Sequence, residues 1–119
     1  MNQIILASHG GLAAGVRDTL ALDLGDVPNV HVISLLRDDK EPVTDKAASL
    51  VETFDAGDTI YVCTDMMGSS VNNSMVELME RDERITVISG MNMPLVLTLA
   101  MSPVPIQGKE LIDLIQEAR

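Results

Sequence analysis

His9 and Asp65 are the two side chains of this sequence best suited to carry out chemistry together. The histidine closes a stretch that begins with the apolar run 4–7, and the aspartate directly follows a second such run, 59–64. A neutral imidazole is a nucleophile at either ring nitrogen, and a carboxylate that accepts the proton of one nitrogen leaves the other free. The carboxylate also stabilises the positive charge that develops when the ring attacks an electrophile. The pair therefore predicts covalent chemistry on the histidine, provided that the fold brings the two side chains together.

Small residues come after His9 and after Asp65 in the sequence, and a helical pattern begins at the end of each set. Gly10 and Gly11 follow the histidine, where they allow close backbone approach, and Gly68, Ser69 and Ser70 follow the aspartate. Free amides at the N-terminus of a helix bind anions, although Gly and Ser turns before helices are also ordinary caps. Phosphoryl transfer depends mostly on positioning and electrostatics. Two such loops beside a histidine and an aspartate therefore favour phosphoryl-transfer chemistry. The expected phosphate-binding residues are Gly10, Gly11, Gly68, Ser69 and Ser70.

Other chemistries lack their motifs in this sequence. It contains no Gly-x-Ser-x-Gly elbow of the hydrolases, no Walker pattern of the NTPases and no Gly-x-Gly-x-x-Gly of the dinucleotide-binding proteins. A metal site would need more ligands than His9 and Asp65, and His31 lies inside a predicted strand, where a structural role is expected. No metal or cofactor is therefore expected.

Four apolar runs alternate with helical patterns, an order typical of an α/β fold in which a parallel sheet is covered by helices on both faces. The predicted strands are residues 4–7, 30–36, 59–64 and 85–89. The predicted helices begin near residues 11, 43, 70, 94 and 109. In an open sheet with strand order 2-1-3-4, the first and third strands are neighbours. His9 and Asp65 would then meet at the carboxyl edge of the sheet, where ligands usually bind in open α/β folds.

The composition fits one domain that covers residues 1–119. Apolar residues make up 46% of the chain and aromatic residues only 2%, so we expect an aliphatic core with Cys63 as a small filler. The net charge of −10 and the scarcity of stacking aromatics argue against nucleic-acid binding. The sequence shows no signal-peptide pattern and no apolar run of roughly 20 residues, so a soluble, cytoplasmic protein is expected.

Three segments in a fixed order carry a resemblance that extends over nearly the whole chain. The first is Ile-Leu-Ala-Ser-His-Gly-Gly-Leu-Ala-Ala-Gly, from Ile5 to Gly15. The second is Thr-Asp-Met-Met-Gly-Ser-Ser, from Thr64 to Ser70, followed by Asn72 or Asn73. The third is Ser-Gly-Met-Asn-Met-Pro-Leu-Val, from Ser89 to Val96. With these segments the sequence resembles the enzyme IIA components of the mannose-family phosphoenolpyruvate-dependent sugar phosphotransferase system.

The resemblance implies that His9 is phosphorylated and that Asp65 orients its ring. It implies that the phosphoryl group comes from the histidine-containing phosphocarrier protein and passes to a partner enzyme IIB in sugar uptake, with the membrane reached only through the permease components. It also implies a homodimer in which a late edge strand, here around Ser102 to Ile106, crosses to the other subunit. Pro103 and Pro105 are compatible with such a crossing or edge segment.

The loop after the aspartate departs from the family pattern, which often reads Asp-x-x-Gly-Gly-Ser-Pro. Ser69 replaces a glycine, and Ser70 holds the position of the usual serine, so Ser70 is the safer candidate for donation to a phosphoryl group. Met67 stands where an aromatic residue is common, and this leaves the docking surface open.

Functions other than the phosphocarrier differ in how well the sequence supports them. The phosphotransferase subunit that serves a dihydroxyacetone kinase has a similar site and stays open, as does the transported sugar, which the IIA component does not touch. A non-catalytic regulatory EIIA-like domain usually lacks the His–Asp pair, which is intact here. A phosphohistidine phosphatase or mutase of the Arg-His-Gly type is disfavoured because Ser8 precedes His9 and no histidine follows His31.

Overall fold

A computed structural model describes residues 1–66 and 68–118 of the chain, so Met67 and Arg119 lie outside the described residues. Its four strands form one open parallel sheet in the order β2-β1-β3-β4. The strands are β1 Asn2–His9, β2 Val30–Leu35, β3 Thr59–Thr64 and β4 Ile85–Ser89. The predicted α/β class, strand direction and strand order are confirmed.

Five helices are present in the described part of the chain. They are α1 Leu12–Leu24, α2 Val43–Val51, α3 Ser70–Arg81, α4 Met93–Met101 and α5 Gly108–Glu117. The helix α1 ends at Gly25, which has a φ of +79° and whose backbone amide donates a hydrogen bond to the Ala21 carbonyl. The helix α4 begins one residue earlier than predicted because the Asn92 side chain accepts from the Leu95 amide and caps it. Pro94 therefore occupies the second helical position rather than the first.

The core is aliphatic and lies on both faces of the sheet, as predicted. Side chains of a strand alternate between faces, so Ile4 and Leu6 of β1 pack on one side while Ile5 and Ala7 pack on the other. The helices α1, α4 and α5 cover the first face, and α2 and α3 cover the second. Cys63 is fully buried, and this burial raises the pKa of its thiol to about 12, which fits a filler of the core.

The late edge strand expected around Ser102 to Ile106, which would be exchanged with a second subunit, is not formed as a strand within the single chain. The segment instead packs on its own subunit. The Tyr61 hydroxyl donates to the Ile106 carbonyl at 2.7 Å, and the Asn2 side-chain amide donates to the Val104 carbonyl at 2.9 Å. Pro103 and Pro105 also lack the amide hydrogens that a strand ladder needs. Exchange of the segment with a second subunit stays a prediction.

None of the helices within residues 1–66 and 68–118 combines the length and the apolar character needed to cross a membrane.

Candidate functional site

The strand register brings His9 and Asp65 to the same edge of the sheet. Ala7 of β1 pairs with Thr64 of β3, so the aspartate that follows Thr64 lies beside the end of β1. His9 is the last residue of β1 and pairs with Leu35 of β2 on its other side. Both predicted residues therefore meet at the carboxyl edge, as the 2-1-3-4 order requires.

A glycine turn directs the chain away from the histidine. Gly10 has a φ of +59°, a left-handed conformation that favours glycine, and its amide donates to the Leu35 carbonyl at 2.9 Å. Gly11 then caps α1 without any side-chain hydrogen bond. A methyl group added at either glycine would meet no heavy atom within 4 Å beyond its chain neighbours. The N-terminus of α1 is therefore open to solvent directly beside His9.

The His9 ring is held by one oxygen of Asp65. The Oδ2 atom accepts from the ring Nδ1 at 2.7 Å and from the His9 backbone amide at 3.0 Å. Because an ionised carboxylate can only accept, this contact places the ring proton on Nδ1 and leaves a lone pair on Nε2. The histidine side chain is 46% exposed while the aspartate is 10% exposed, so the carboxylate lies beneath an accessible ring.

The other oxygen of Asp65 is also occupied. Its Oδ1 atom accepts from the Ser69 hydroxyl and from the Met66 amide, both at 2.9 Å. Burial alone would raise the pKa of this carboxyl. The hydrogen bonds from the His9 amide and ring, from Ser69 and from Met66 outweigh that effect and lower the pKa of Asp65 to about 2. The group is therefore a carboxylate at neutral pH, as an acceptor for the imidazole must be.

The first turn of α3 faces the free nitrogen of the ring. The Ser70 hydroxyl lies 3.0 Å from His9 Nε2, to which it donates when the ring proton is on Nδ1. Ser69 is the N-cap of the helix, and its hydroxyl accepts from the backbone amide of Asn72 at 3.1 Å. The two serines thus have different partners: Ser70 contacts the reactive nitrogen, whereas Ser69 contacts the carboxylate and the helix.

The second histidine lies away from this site. His31 pairs with Ile5, four residues before His9 along β1. Its Nε2 lies 2.9 Å from the Gln3 side-chain oxygen, and its ring packs against Phe54 with centroids 4.9 Å apart. Burial, and then the charge of Arg17, lower the pKa of His31. Its surroundings are those of a structural histidine.

Residues 1–66 and 68–118 contain no group of three or more His, Cys, Asp or Glu side chains arranged to hold a metal ion.

Sequence patterns did not separate the roles of the polar residues around the pair. Ser69 is predicted to bind phosphate, although its position directly before a helical pattern is the usual signal of an N-cap. No sequence pattern singles out Ser8, but its buried hydroxyl accepts from the Ala13 amide at 2.9 Å and so fixes the start of α1. Asn72 appears in the sequence only as part of the second motif.

The family model described as the PTS system fructose IIA component, EIIA-man, matches residues 3–116 of this chain. The chain belongs to this family. It is accordingly a mannose-family EIIA component of a sugar phosphotransferase system and a phosphotransferase-type protein. Proteins of this family interact with phosphocarrier and IIB components.

Individual relatives agree with this assignment of the EIIA protein. A sorbose-specific EIIA component from Lacticaseibacillus casei is 28% identical over 101 residues, which are 84% of this chain and 72% of the relative. A Klebsiella pneumoniae structure, described as a phosphoenolpyruvate-dependent sugar phosphotransferase system permease, is 30% identical with a TM-score of 0.76 and covers 98% of this chain and 82% of that chain. A IIA protein associated with the fucose utilization operon of Streptococcus pneumoniae shares the fold at 23% identity, with a TM-score of 0.81 over 98% of this chain and 88% of that chain.

Proposed function

We propose that this EIIA protein is a phosphocarrier in which His9 Nε2 accepts a phosphoryl group from the phosphorylated histidine-containing phosphocarrier protein. The group then passes to an enzyme IIB in sugar uptake. The observation that carries the proposal is the 2.7 Å contact between His9 Nδ1 and Asp65 Oδ2, on a ring that is 46% exposed. This contact supports Nε2, rather than Nδ1, as the nucleophile.

The transfer proceeds without a net proton change at His9. The Nε2 lone pair attacks phosphorus, a new P–N bond forms, and the P–N bond to the donor imidazole breaks with its electron pair. The His9 ring keeps its proton on Nδ1 and becomes a phosphorylated cation, which the Asp65 carboxylate stabilises across the same hydrogen bond. The reverse sequence of bond changes delivers the group to the IIB acceptor.

The phosphoryl oxygens have donors close at hand. The Ser70 hydroxyl, 3.0 Å from Nε2, needs only to rotate its hydrogen from the nitrogen towards an incoming oxygen. The N-termini of α1 and α3 add amides and the positive ends of two helix dipoles, and Gly10, Gly11 and Gly68 leave room beside them. Direct contact of Ser69 with the phosphoryl group stays a prediction, because its hydroxyl is engaged by Asp65 and by the Asn72 amide.

Exposed apolar side chains at this edge support docking of partner proteins. Leu12 follows the β1 turn, Leu36 follows β2, and Met66 follows Asp65, with exposed fractions of 52%, 55% and 63%. Such side chains suit contacts with a protein that must surround the histidine and exclude water during transfer. Met67, which stands next to them in sequence, lies outside the described residues.

The homodimer is a further part of the proposal. Met101 directly precedes the Ser102 to Ile106 segment and Val104 lies within it. Their side chains are 64% and 59% exposed, and a second subunit would cover them. Light scattering on the purified protein tests the dimer, and a monomer at micromolar concentration would remove this part of the proposal.

Phosphosite mapping tests the proposed function. We expect the protein to take up acid-labile phosphate on His9 when incubated with phosphoenolpyruvate, enzyme I and the phosphocarrier protein. The variant His9→Gln should take up none, whereas the matched variant His31→Gln should be phosphorylated like the parent. Phosphate on any other residue, or none at all on the parent protein, would refute the proposal.

A further inference from the structure

A buried asparagine joins three elements directly behind the site. Asn72, in the first turn of α3, is only 5% exposed. Its Oδ1 atom accepts from the Thr64 hydroxyl at the end of β3, at 2.6 Å, and from the Ser89 hydroxyl at the end of β4, at 3.0 Å. Burying an amide and two hydroxyls is unfavourable unless they bond to each other. This group of three residues is referred to below as the Asn72 network.

The Asn72 side chain is connected to Asp65 along the chain, and the Asn72 backbone is connected to it across the loop. Along the chain, Thr64 directly precedes Asp65, so the bond to the Thr64 hydroxyl fixes the end of the strand that carries the carboxylate. Across the loop, the backbone amide of Asn72, rather than its side chain, donates to the Ser69 hydroxyl at 3.1 Å, and that hydroxyl donates to Asp65 Oδ1 at 2.9 Å. The Asn72 side chain therefore holds the backbone before the carboxylate, while its backbone amide, which any residue at this position would supply, holds the hydroxyl that binds the carboxylate.

The position of Asn72 would ordinarily suit an apolar residue. It lies on the buried side of α3 with Val71, Met75 and Leu78, which pack in the aliphatic core. An apolar side chain there would add to the core without any need for hydrogen-bonding partners. A side-chain oxygen that accepts from the ends of two strands instead fixes the first turn of α3 against the ends of β3 and β4.

The network also gives a role to the third sequence segment, Ser89 to Val96. No side chain of this segment contacts His9 or Asp65 among the hydrogen bonds of the described residues. Its first residue, Ser89, bonds to Asn72 and so connects β4 to the site.

We propose that Asn72 is a positioning residue that sets the orientation of the Asp65 carboxylate and, through it, the Nδ1–H tautomer of His9. The proposal rests on the proposed function only for its kinetic consequence, because the tautomer can be observed without phosphate. Loss of Asn72 should leave the Thr64 and Ser89 hydroxyls without their shared acceptor and allow Asp65 to turn away from the ring. A displacement of about 1 Å in a reacting group can slow a reaction about 100-fold.

The test compares Asn72→Ala with Asn2→Ala. Asn2 is buried to a similar degree, 3% exposed, and donates to the Leu99 and Val104 carbonyls near the opposite edge of the sheet. The variants are compared by nitrogen-15 NMR of the His9 ring and by the kinetics of phosphoryl uptake from the phosphorylated carrier protein, with urea unfolding as the measure of stability.

For Asn72→Ala we expect a mixture of ring tautomers and a kcat roughly 10- to 100-fold lower with KM for the carrier unchanged. Asn2→Ala should lose stability but keep the parent tautomer and kcat. An unchanged tautomer and kcat in Asn72→Ala, or equal losses in both variants, would overturn the proposal.

Milder variants keep the test decisive if Asn72→Ala does not fold. Thr64→Val and Ser89→Ala each remove one hydroxyl of the network while Asn72 remains. Each should give a smaller shift in the tautomer than Asn72→Ala, and parent-like NMR signals in both would count against the network. If the parent protein shows the Nδ1–H tautomer but takes up no phosphate, the proposed function fails while the positioning role is still measured.

Discussion

The molecule contains two histidines, and each is connected to a carboxylate at a different edge of the same sheet. At the carboxyl edge, His9 binds Asp65 directly at 2.7 Å. At the amino edge, His31 Nε2 lies 2.9 Å from the Gln3 oxygen, and the Gln3 amide donates to Asp58 Oδ2 at 3.1 Å. An uncharged amide therefore stands between the second imidazole and its carboxylate.

The surroundings of the two rings differ more than their partners do. The His9 ring is exposed between the N-termini of α1 and α3, where the amides and dipoles favour an anion. The His31 ring packs against Phe54, and helices that run back over the sheet bring their C-termini, which disfavour anions, towards that edge. Under the proposed function, the position at the carboxyl edge of the sheet and the direct carboxylate contact are what distinguish His9 from His31.

The largest expected difference is between two separate variants, Asp65→Asn and Asp58→Asn, each of which neutralises one of the two carboxylates. Asp65→Asn replaces an acceptor with a group whose amide can donate to Nδ1, which favours the tautomer with its proton on Nε2 and removes the nucleophilic lone pair. We expect phosphoryl uptake to slow by about 100-fold or more, measured by rapid-quench kinetics with the phosphorylated carrier. Asp58→Asn should leave that rate unchanged, and a similar loss in both variants would contradict the distinction between the two edges.

A smaller effect should follow from changing the apolar surface at the carboxyl edge. Leu36→Gln removes an apolar contact without adding charge, so we expect KM for the carrier protein to rise about 10-fold with kcat little changed. Leu22→Gln is the matched control, because Leu22 is 87% exposed and lies roughly 15 Å along α1 from its start. An equal rise in KM for both variants would show that docking does not depend on this edge.

The smallest effect concerns pH and the second histidine. The pKa of His31 is lowered in the folded protein by burial and by Arg17, so the unfolded chain binds a proton more readily. Stability should therefore fall as the pH drops from 7 to 5. Between pH 7 and pH 5 the urea midpoint of His31→Gln should fall by less than that of the parent protein, with a difference of roughly a few tenths of a molar unit. Unfolding curves at both pH values measure the difference, and identical pH dependence in the two proteins would contradict it.

The sequence predicted those features that depend on hydrophobic periodicity and strand order. Alternation of apolar runs with helical patterns predicts the parallel sheet, and a 2-1-3-4 strand order places His9 and Asp65 at the same edge of it. The different hydrogen-bond partners of the Ser69 and Ser70 hydroxyls could not be predicted in the same way. It depends on which hydroxyl the loop backbone turns towards Asp65 and which towards Nε2, and neighbouring serines look alike in a sequence.

The conformation of the segment at Ser102 to Ile106 could not be predicted for a different reason. Two prolines indicate an edge strand or a crossing segment, and the family resemblance implies an exchanged edge strand, but a strand needs a partner with free amides and carbonyls. Within one chain the Tyr61 hydroxyl and the Asn2 amide bind the segment instead. Its conformation in an assembly depends on a second subunit, which a single sequence does not describe.

The shared hydroxyl of Ser69 has a consequence for the lifetime of a phosphohistidine. Helix ends fray, and in the proposed phosphohistidine an unwinding of the first turn of α3 would remove a donor from Asp65 at the same moment that it moves the Ser70 hydroxyl away from the phosphoryl group on Nε2. A docking protein that tightens this one turn would prolong the stay of the phosphoryl group, and one that loosens it would promote release. The donor and the acceptor could thus set the direction of transfer through the fraying of a single helical turn.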